Sequence, residues 1–471
     1  MNFYTITYIL GVNVSFNKFK YLLIYKYYSM TLGGKIMWYD ESVMYQIYPL
    51  GYLGAEVSNG GITTHRILKL IDLIPHLKKI GINVVYFCPV FESSCHGYDT
   101  KDFFKIDCRL GTNEDFKIVS KALHENGIKV IIDGVFNHVG RDFFAFKDVI
   151  ENKWNSIYKD WFYINFDGNT SYNDGFYYEG WEGHYNLVKL NLDNVNVKEY
   201  LFEAIKMWIK EFNIDGLRID VAYMLNKNFM KELRCLTQTI NSELFLLGEM
   251  IHGDYNTIVN NDMLHSATNY ECYKGLYSSF NEMNMFEISY SLNRQFGNES
   301  WCLYTGKNMV SFVDNHDVNR IASALNNENH LKLVYGLLFT MPGIPCIYYG
   351  SEWGEKGIKV GEVDTGLRPK VDNPKFNELS EFISKLSKMR IENRILAYGD
   401  FKNVLVTNHQ YIFERRLEDK RIIVMINASE NSYNVNLNLN IVNGIDLISK
   451  EKISFDGDLT LLPYSIRIVE C

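Results

Sequence analysis

The feature that most constrains this chain is a regular alternation of short apolar segments with longer amphipathic ones, from about Val43 to Ile395. The short segments are typical of buried β-strands, and the longer ones have the spacing of amphipathic helices. We count eight apolar segments, the sixth being the weakest: Val43–Pro49, Ile82–Val90, Ile128–Val135, Ile214–Asp220, Leu244–Met250, Ala267–Glu271, Met309–Asp314 and Ile344–Tyr349. Parallel neighbours need a crossover helix, so the pattern predicts an α/β fold with a closed (β/α)8 TIM barrel.

The amphipathic segments predict the helices that connect these strands. Five of them are Ile67–Ile80, Asp115–Glu125, Val197–Phe212, Lys227–Ile240 and Leu331–Met341. Gly81, Gly127 and Gly343 follow three of these segments and are expected to end the helices, because glycine readily adopts the left-handed conformation found there.

Two regions depart from the alternation and predict further domains. Residues 139–196 are rich in Trp, Tyr, Asn and Gly, and at about 60 residues the region is too long for a structureless loop, so we expect an inserted subdomain. After Ile395 the helical spacing stops, and residues 396–471 are predicted to form a C-terminal β-sandwich. Its predicted strands are Val404–Val406, Tyr411–Glu414, Arg421–Ile426, Tyr433–Leu439, Leu459–Leu462 and Ser465–Val469. Residues 37–138 and 197–395 are left to the predicted barrel.

Residues 1–36 lie outside this pattern. The apolar segment Phe3–Phe16 is shorter than the roughly 20 residues that span a bilayer. A signal peptide has positive charge before its apolar run, whereas here Lys18 and Lys20 follow the run. We therefore expect an N-terminal extension that is either disordered or the product of a start-site choice, and a cytoplasmic protein.

The composition excludes several functional classes. There are 48 Lys and Arg against 56 Asp and Glu, a net charge of −8, which leaves no basic surplus to attract nucleic acid or an anionic membrane. The eight cysteines are scattered and include no C-x-x-C pair, so we expect reduced thiols. Nucleic acid and membranes are therefore not expected as partners, and the oligomeric state stays open.

Polar side chains cluster where the predicted barrel strands end, which is where TIM barrels carry their active sites. They are His138 after strand three, Arg218 and Asp220 at the end of strand four, Glu249 after strand five, and His316 and Asp317 after strand seven. Each residue alone has an ordinary structural explanation, such as an ion pair or a turn. The occurrence of these polar residues together at four strand ends predicts an active site.

The residue types indicate acid-assisted sugar chemistry. Arg218 and Asp220 are two apart on a strand and share a face, so the guanidinium is expected to lower the pKa of Asp220 and keep it ionised as a nucleophile. Glu249 follows an apolar strand and is expected to have a raised pKa, which suits a proton donor. Glycoside hydrolysis uses such a pair of carboxyl groups. Hydrogen bonds and a stacking face for a sugar ring are expected from Asp317, His316, His138 and Tyr98.

These segments resemble the motifs of the α-amylase family, glycoside hydrolase family 13. In chain order they are Asp133–His138, Gly216–Asp220, Gly248–Glu249 and Phe312–Asp317, with supporting matches at Tyr45–Pro49, His96–Asp99 and Tyr348–Glu352. The resemblance implies a retaining hydrolase in which Asp220 is the nucleophile, Glu249 the general acid/base and Asp317 the third carboxylate. It assigns substrate binding to Tyr98, His138, Arg218 and His316.

The sequence departs from the family pattern at a common structural calcium site. Lys189 stands where an aspartate ligand is usual, and Met224 stands where a histidine ligand is usual. Neither an ammonium nor a thioether suits calcium, so we expect no metal at this position and no other cofactor. The lysine is similar to the cyclomaltodextrinase, neopullulanase and maltogenic amylase branch, although this chain has no room for the extra N-terminal β-domain usual in that branch.

The resemblance implies cleavage of α-1,4 bonds in maltooligosaccharides, and the absence of a convincing export signal favours substrates inside the cell. Val221, beside the expected nucleophile, resembles members that act on α-1,6 or mixed linkages, so α-1,6 bonds stay open. Insert aromatics such as Trp181 are candidate sugar platforms. Two alternatives also remain: an α-glucan transglycosylase, and a non-catalytic amylase-like binding protein, which the retention of all three carboxylates disfavours.

Overall fold

The computed structural model describes residues 37–361, 363–437 and 439–471. The extension predicted for residues 1–36 lies outside the described residues. Eight parallel strands form one sheet: Met44–Ile47, Val84–Phe87, Lys129–Gly134, Gly216–Ile219, Phe245–Gly248, Ser266–Ala267, Val310–Phe312 and Ile344–Tyr348. The first six pair consecutively, the seventh pairs with the eighth and the eighth with the first, and a bridge between Thr268 and Val310 joins the sixth strand to the seventh. The ring is thereby closed, and the predicted TIM barrel is confirmed.

The barrel strands are buried because helices cover the sheet from outside and the strands' own side chains fill it from inside. The sixth strand is the shortest, and the prediction that it extends to Glu271 is wrong. The side chain of Asn269 accepts a hydrogen bond from the backbone N–H of Cys272, which caps a helix that begins at Tyr270.

Helices connect the barrel strands and continue beyond the eighth strand. They are Pro49–Tyr52, Ile74–Lys79, Asn113–Glu125, Val195–Glu211, Lys227–Ile240, Tyr270–Asn281, Met285–Phe296, Ile321–Ala324, His330–Thr340, Glu378–Glu392 and Arg394–Tyr398. Short 3-10 turns occur at Arg66–Ile71, Ala222–Met224, Tyr255–Thr257, Ser351–Trp353 and Thr365–Leu367. Across the described residues, no helix is both long enough and apolar enough to cross a bilayer.

The single helix predicted over Ile67–Ile80 is divided in the structure. A 3-10 turn covers Arg66–Ile71, and an α-helix begins at Ile74 with Pro75 in its first turn. Proline has no backbone N–H to donate, so it is tolerated at a helix start and not in a helix interior. Gly81 has a φ of 80° directly after this helix, in the conformation predicted for a helix stop.

The region between the third strand and the helix Val195–Glu211 folds on the carboxyl side of the barrel. It contains the helix Phe144–Asn152 and two short 3-10 turns, Lys153–Asn155 and Lys159–Trp161. Its five strands are His138–Gly140, Ile164–Asn165, Tyr177–Tyr178, Gly180–Trp181 and His184–Lys189. A separate hairpin, Phe91–Ser93 with Thr100–Ile106, follows the second barrel strand and carries Tyr98 in its turn.

The C-terminal region is all-β, as predicted. Its strands are Asp400–Val406, Gln410–Leu417, Lys420–Asn427, Tyr433–Asn436, Asn443–Asp446, Lys452–Ser454, Asp458–Leu461 and Ser465–Glu470. They form a six-stranded and a two-stranded sheet with an apolar cluster that includes Ile412, Met425 and Leu461. The helix Arg394–Tyr398 crosses the boundary that the sequence predicted after Ile395.

Candidate active site

The register of neighbouring strands brings the predicted catalytic residues together. Arg218 on the fourth strand lies beside Asp133 on the third. Glu249 directly follows the fifth strand, and its backbone N–H donates to the carbonyl of Ile219 at 2.9 Å. Asp220 therefore has a carboxylate-bearing strand end on each side.

Arg218 is the centre of a buried ion-pair network. Its Nη1 donates to both oxygens of Asp133, each at 2.9 Å, and to Oδ1 of Asp220 at 2.8 Å. Its Nη2 lies 2.5 Å from Oε1 of Glu249. None of these four side chains is more than 6% exposed. One guanidinium thus holds three carboxyl groups, among them the predicted partner Asp220.

Burial decides the protonation of this cluster. Desolvation raises the pKa of Glu249 to about 7, in the predicted direction, and it also raises the pKa of Asp220 to about 7 and that of Asp133 to about 6. The predicted lowering of the Asp220 pKa is wrong. Arg218 does lower it, but this single cation is shared among three carboxyl groups and does not outweigh their desolvation.

The backbone of Val221 holds the second oxygen of Glu249. Val221 has φ 40° and ψ 45°, a left-handed conformation that is strained for a β-branched residue. Its N–H donates to Oε2 of Glu249 at 2.9 Å. Glu249 is therefore fixed by Arg218 through one oxygen and by Val221 through the other.

Asp317 is the most accessible of the three predicted catalytic carboxylates, with 38% of its side chain exposed. Its Oδ2 lies 3.0 Å from Nε2 of His316, and its Oδ1 lies 3.1 Å from Nη2 of Arg368. Desolvation acts to raise the pKa of Asp317, but the guanidiniums of Arg368 and Arg218 act against it, and the pKa is lowered. Asp317 is therefore the ionised carboxylate of the site.

Tyr98 and His316 form a stacked pair beside Asp317. Their ring centroids are 5.6 Å apart and nearly parallel, and the Tyr98 hydroxyl contacts Nε2 of His316. The Nε2 amide of Gln46 lies 2.9 Å from Nδ1 of His316, which assigns the imidazole proton to Nε2. Burial lowers the pKa of His316 to about 3, so the ring is neutral. The Tyr98 hydroxyl also donates to Asp133 at 3.3 Å and links the pair to the Arg218 cluster.

His138 lies where the third strand leads into the insert. Its Nδ1 is 3.1 Å from the side-chain amide of Asn137, and its ring lies 5.9 Å from that of Trp181 in the insert. Burial lowers the pKa of His138 to about 3. The other six predicted site residues form one connected network through Asp133, and His138 adjoins this network by a hydrogen bond to the backbone of Tyr98.

Residues 46–393 match the family profile of the alpha amylase catalytic domain. A cyclomaltodextrinase of Thermoanaerobacter pseudethanolicus is 31% identical over 457 residues, which cover 92% of this chain and 78% of that protein. A maltogenic alpha-amylase of Bacillus acidopullulyticus is 33% identical over 430 residues, 84% of this chain and 70% of that one. The chain belongs to the α-amylase family.

Solved structures agree with this assignment. A debranching enzyme of Nostoc punctiforme superposes with a TM-score of 0.77 at 27% identity, covering 92% of this chain and 98% of that one. A cyclomaltodextrinase superposes with a TM-score of 0.79 at 27% identity, covering 92% and 78%. As a member of the α-amylase family, the protein is an α-amylase-type glycosidase.

The residues at the family's common calcium position do not fit calcium here. Nζ of Lys189 lies 2.8 Å from Oε2 of Glu179 and 5.2 Å from the centre of the Tyr163 ring. The ammonium thus brings its own positive charge to the place of the usual carboxylate. Met224, in a 3-10 turn, offers only a thioether. Calcium prefers several oxygen ligands, and neither Lys189 nor Met224 supplies one.

The sequence analysis missed Arg368. Its Nη2 lies 3.1 Å from Asp317 and 2.6 Å from Asp364, its Nε donates to the carbonyl of His316 at 3.2 Å, and its guanidinium covers the Tyr48 ring at 4.4 Å. Arg368 lies in the long loop after the eighth strand, where no hydrophobic period singles it out. The one available signal was an Asp and an Arg four residues apart beyond a strand end.

Proposed function

We propose that this protein is a retaining hydrolase that cleaves α-1,4-glucosidic bonds in maltodextrins, with α-1,6 bonds as a second target. The observation that carries the proposal is the shared guanidinium of Arg218, which contacts both Asp220 and Glu249 and so holds the two carboxyl groups close together. This arrangement supports the short carboxyl separation of about 5 Å that retaining glycosidases use.

The relatives support the substrate and the location. Two of them are named for cyclomaltodextrins and for the formation of maltose, and an intracellular maltogenic amylase of Bacillus subtilis is 31% identical over 378 residues. Maltooligosaccharides in the cytoplasm are therefore the proposed substrates.

The proposed reaction has two steps. Asp220 attacks the anomeric carbon while Glu249 gives its proton to the glycosidic oxygen, so that the leaving sugar departs and a glycosyl ester forms on Asp220. Glu249 then takes a proton from water, the water oxygen bonds to the anomeric carbon, and the ester bond to Asp220 breaks. The raised pKa of Glu249 supports its role as the proton donor near neutral pH.

The remaining residues are proposed to bind the sugar at the point of cleavage. Asp317 is ionised and partly exposed, which suits it to accept hydrogen bonds from sugar hydroxyls. Tyr98 offers an aromatic face, held in place by His316. His138 and Arg218 complete the set, Arg218 by orienting both reacting carboxyl groups.

Proton NMR of the reaction with maltohexaose tests the proposal. We expect new α-anomer to appear before mutarotation, together with shorter chains only. Products longer than the substrate would instead indicate the transglycosylase alternative, and β-anomer as the first product would overturn the retaining mechanism. Asp220→Asn should abolish turnover with an unchanged circular dichroism spectrum, and a variant with near-full activity would remove Asp220 from its role.

A second substrate separates the two carboxyl groups. Glu249→Gln should lose activity on maltohexaose but still release a burst of about one equivalent of fluoride from α-maltosyl fluoride, whose leaving group needs no proton. Later turnovers should be slow, because the variant also lacks the base for the second step. Asp220→Asn should give neither shorter maltodextrins nor a fluoride burst. No burst in Glu249→Gln would contradict the assignment of Glu249 as the acid.

A further inference from the structure

Arg320 is a fully buried arginine that the proposed reaction does not use. Its guanidinium lies 4.1 Å from the centre of the Tyr348 ring. Its Nη2 donates to the carbonyl of Leu367 at 2.8 Å, and its Nη1 donates to the carbonyl of Tyr349 at 2.5 Å. A buried guanidinium is costly unless its donors are bonded, so these carbonyls fix its position. Arg320 thereby ties the loop after the eighth strand to the end of that strand.

The same loop is fastened on both sides of Arg368. Besides Arg320, the hydroxyl of Tyr348 donates to the carbonyl of Leu367 at 3.0 Å. The hydroxyl of Tyr349 donates to the carbonyl of Pro369 at 2.9 Å. The residues before and after Arg368 are thus bonded to buried side chains of the barrel.

Glycines let the two limbs of this loop pack closely. A Cβ added to Gly357 would lie 2.2 Å from the carbonyl oxygen of Gly366, and a Cβ added to Gly366 would lie 2.8 Å from that of Ile358. The backbone N–H of Arg320 donates to the carbonyl of Gly357 at 3.0 Å. Arg320 therefore contacts both limbs, one through its backbone and the other through its side chain.

We propose that Arg320 is a positioning residue that sets the place of Arg368 and, through it, the orientation of the Asp317 carboxylate. The connection runs from the guanidinium of Arg320 to Leu367, to the adjacent Arg368 and across 3.1 Å to Oδ1 of Asp317. Its importance for catalysis rests on the proposed function of Asp317. The claim that Arg320 sets the position of Arg368 does not rest on that function, because it concerns only the distance between Arg368 and Asp317.

The first test is Arg320→Lys, which keeps a positive charge but loses the two-pronged donor. We expect kcat on maltohexaose to fall about 100-fold with a much smaller change in KM, because a misplaced group outside the chemistry costs about that much. Tyr349→Phe, which removes one hydroxyl from the same platform, should lower kcat by about 2- to 10-fold, the value of one neutral hydrogen bond. It also serves if Arg320→Lys fails to fold.

The matched control is Arg415→Lys. Arg415 is also fully buried and donates to backbone carbonyls, those of Thr340 at 2.8 Å and Gly399 at 2.9 Å. It lies on the C-terminal strand Gln410–Leu417, and its partner Thr340 precedes the eighth strand, at the end of the barrel opposite the site. It should lose thermal stability as Arg320→Lys does, with kcat within about 2-fold of the parent. Equal losses of kcat in Arg320→Lys and Arg415→Lys would show that Arg320 has only a structural role.

A double-mutant cycle and a crystal structure complete the test. In an Arg368→Gln background, Arg320→Lys should cost little further activity, because the connection is already broken. Fully additive losses would overturn the proposal. The crystal structure of Arg320→Lys, or of Tyr349→Phe in its place, should show Arg368 displaced from Asp317, and an unchanged distance would overturn the proposal whatever the substrate. Activity retained in Asp220→Asn would instead reject the proposed function alone.

Discussion

The two ends of the barrel bury charged groups in different ways. At the carboxyl ends of the strands, the single guanidinium of Arg218 is shared by three buried carboxyl groups. At the amino ends, the guanidiniums of Arg390 and Arg415 donate to backbone carbonyls, including that of Gly343 just before the eighth strand. The first arrangement has one positive charge for three carboxyl groups. In the second, the contacts named above join the guanidiniums to backbone carbonyls and not to carboxylates.

We interpret the difference as a division between the end proposed for chemistry and an end that serves stability. Burial raises the pKa of Asp220 and Glu249 to about 7, so that these carboxyl groups are partly protonated near neutral pH, and their burial lowers the stability of the fold. Burial lowers the pKa of Arg390 to about 10 and that of Arg415 to about 9, both still protonated at neutral pH. Arg415 joins barrel backbone to the C-terminal region, since it lies on the strand Gln410–Leu417, whereas Arg390 joins the helix Glu378–Glu392 to the barrel.

The largest expected effect separates activity from stability at the carboxyl end. Asp220→Asn should lower kcat by about 10⁴-fold or more, the scale on which loss of a catalytic group is felt. The same change should raise Tm at pH 8 by about 2 °C. The folded-state pKa of Asp220 is raised, so its contribution to stability is present at low pH and is lost as pH rises through about 7.

Because asparagine does not ionise, thermal melts at two pH values check the sign of this effect. The gain in Tm should be present near pH 8 and shrink toward pH 5, where the aspartic acid is itself protonated. A variant that is less stable than the parent at pH 8 would show that the Arg218 contact stabilises the fold more than the buried charge destabilises it.

The second largest effect belongs to the amino end. Arg415→Ala should lower the free energy of unfolding by about 3 kcal/mol, because it leaves the buried carbonyls of Thr340 and Gly399 without donors. Urea unfolding gives this value, and kcat/KM on maltohexaose at 25 °C should stay within about 2-fold. Arg416→Ala, at the exposed neighbour on the same strand, is the control and should cost less than about 0.5 kcal/mol. A large loss of activity in Arg415→Ala would break the division between the two ends.

The barrel was predictable because its strands are short apolar runs between amphipathic helices. Strands without that signal were missed. Asn443–Asp446 and Lys452–Ser454 alternate buried with exposed residues over only three or four positions and lie at the edge of the larger C-terminal sheet. Runs this short and polar resemble loops, and only the pairing of distant segments reveals them.

The site was predictable to the extent that topology alone defines it. Asp220, Glu249 and Asp317 follow strands, so their convergence is a property of any closed parallel barrel. Arg368 was not predictable, because it reaches Asp317 from a long loop. The pKa of Asp220 was predicted in the wrong direction, because one cation shared among three carboxyl groups is a property of the assembled cluster.

The pH dependence of activity sharpens the contrast at the carboxyl end. Glu249 has to hold a proton, so kcat/KM should fall as pH rises above about 7, and Asp220 has to be ionised, so kcat/KM should also fall below about 7. The two falls in kcat/KM reflect the titration of the coupled carboxyl groups together rather than of either residue alone. Initial rates from roughly pH 5 to 9 should give a narrow bell with about a 10-fold fall per unit on each side. A plateau across this range would show that the two groups titrate far apart.

The smallest effect is expected where an ammonium stands in place of a calcium ligand. A chelator should leave Tm unchanged to within about 1 °C, because Lys189 is bonded to Glu179 and supplies the positive charge that calcium would bring. Lys189→Asp, combined with Met224→His, restores two ligands of the usual type and should make Tm rise with added calcium and fall again with chelator. The single variant Lys189→Ala is the control, since it removes the ammonium without adding an oxygen ligand and should not respond to calcium. A fall in the Tm of the parent protein on chelation would mean that this chain binds a stabilising ion after all.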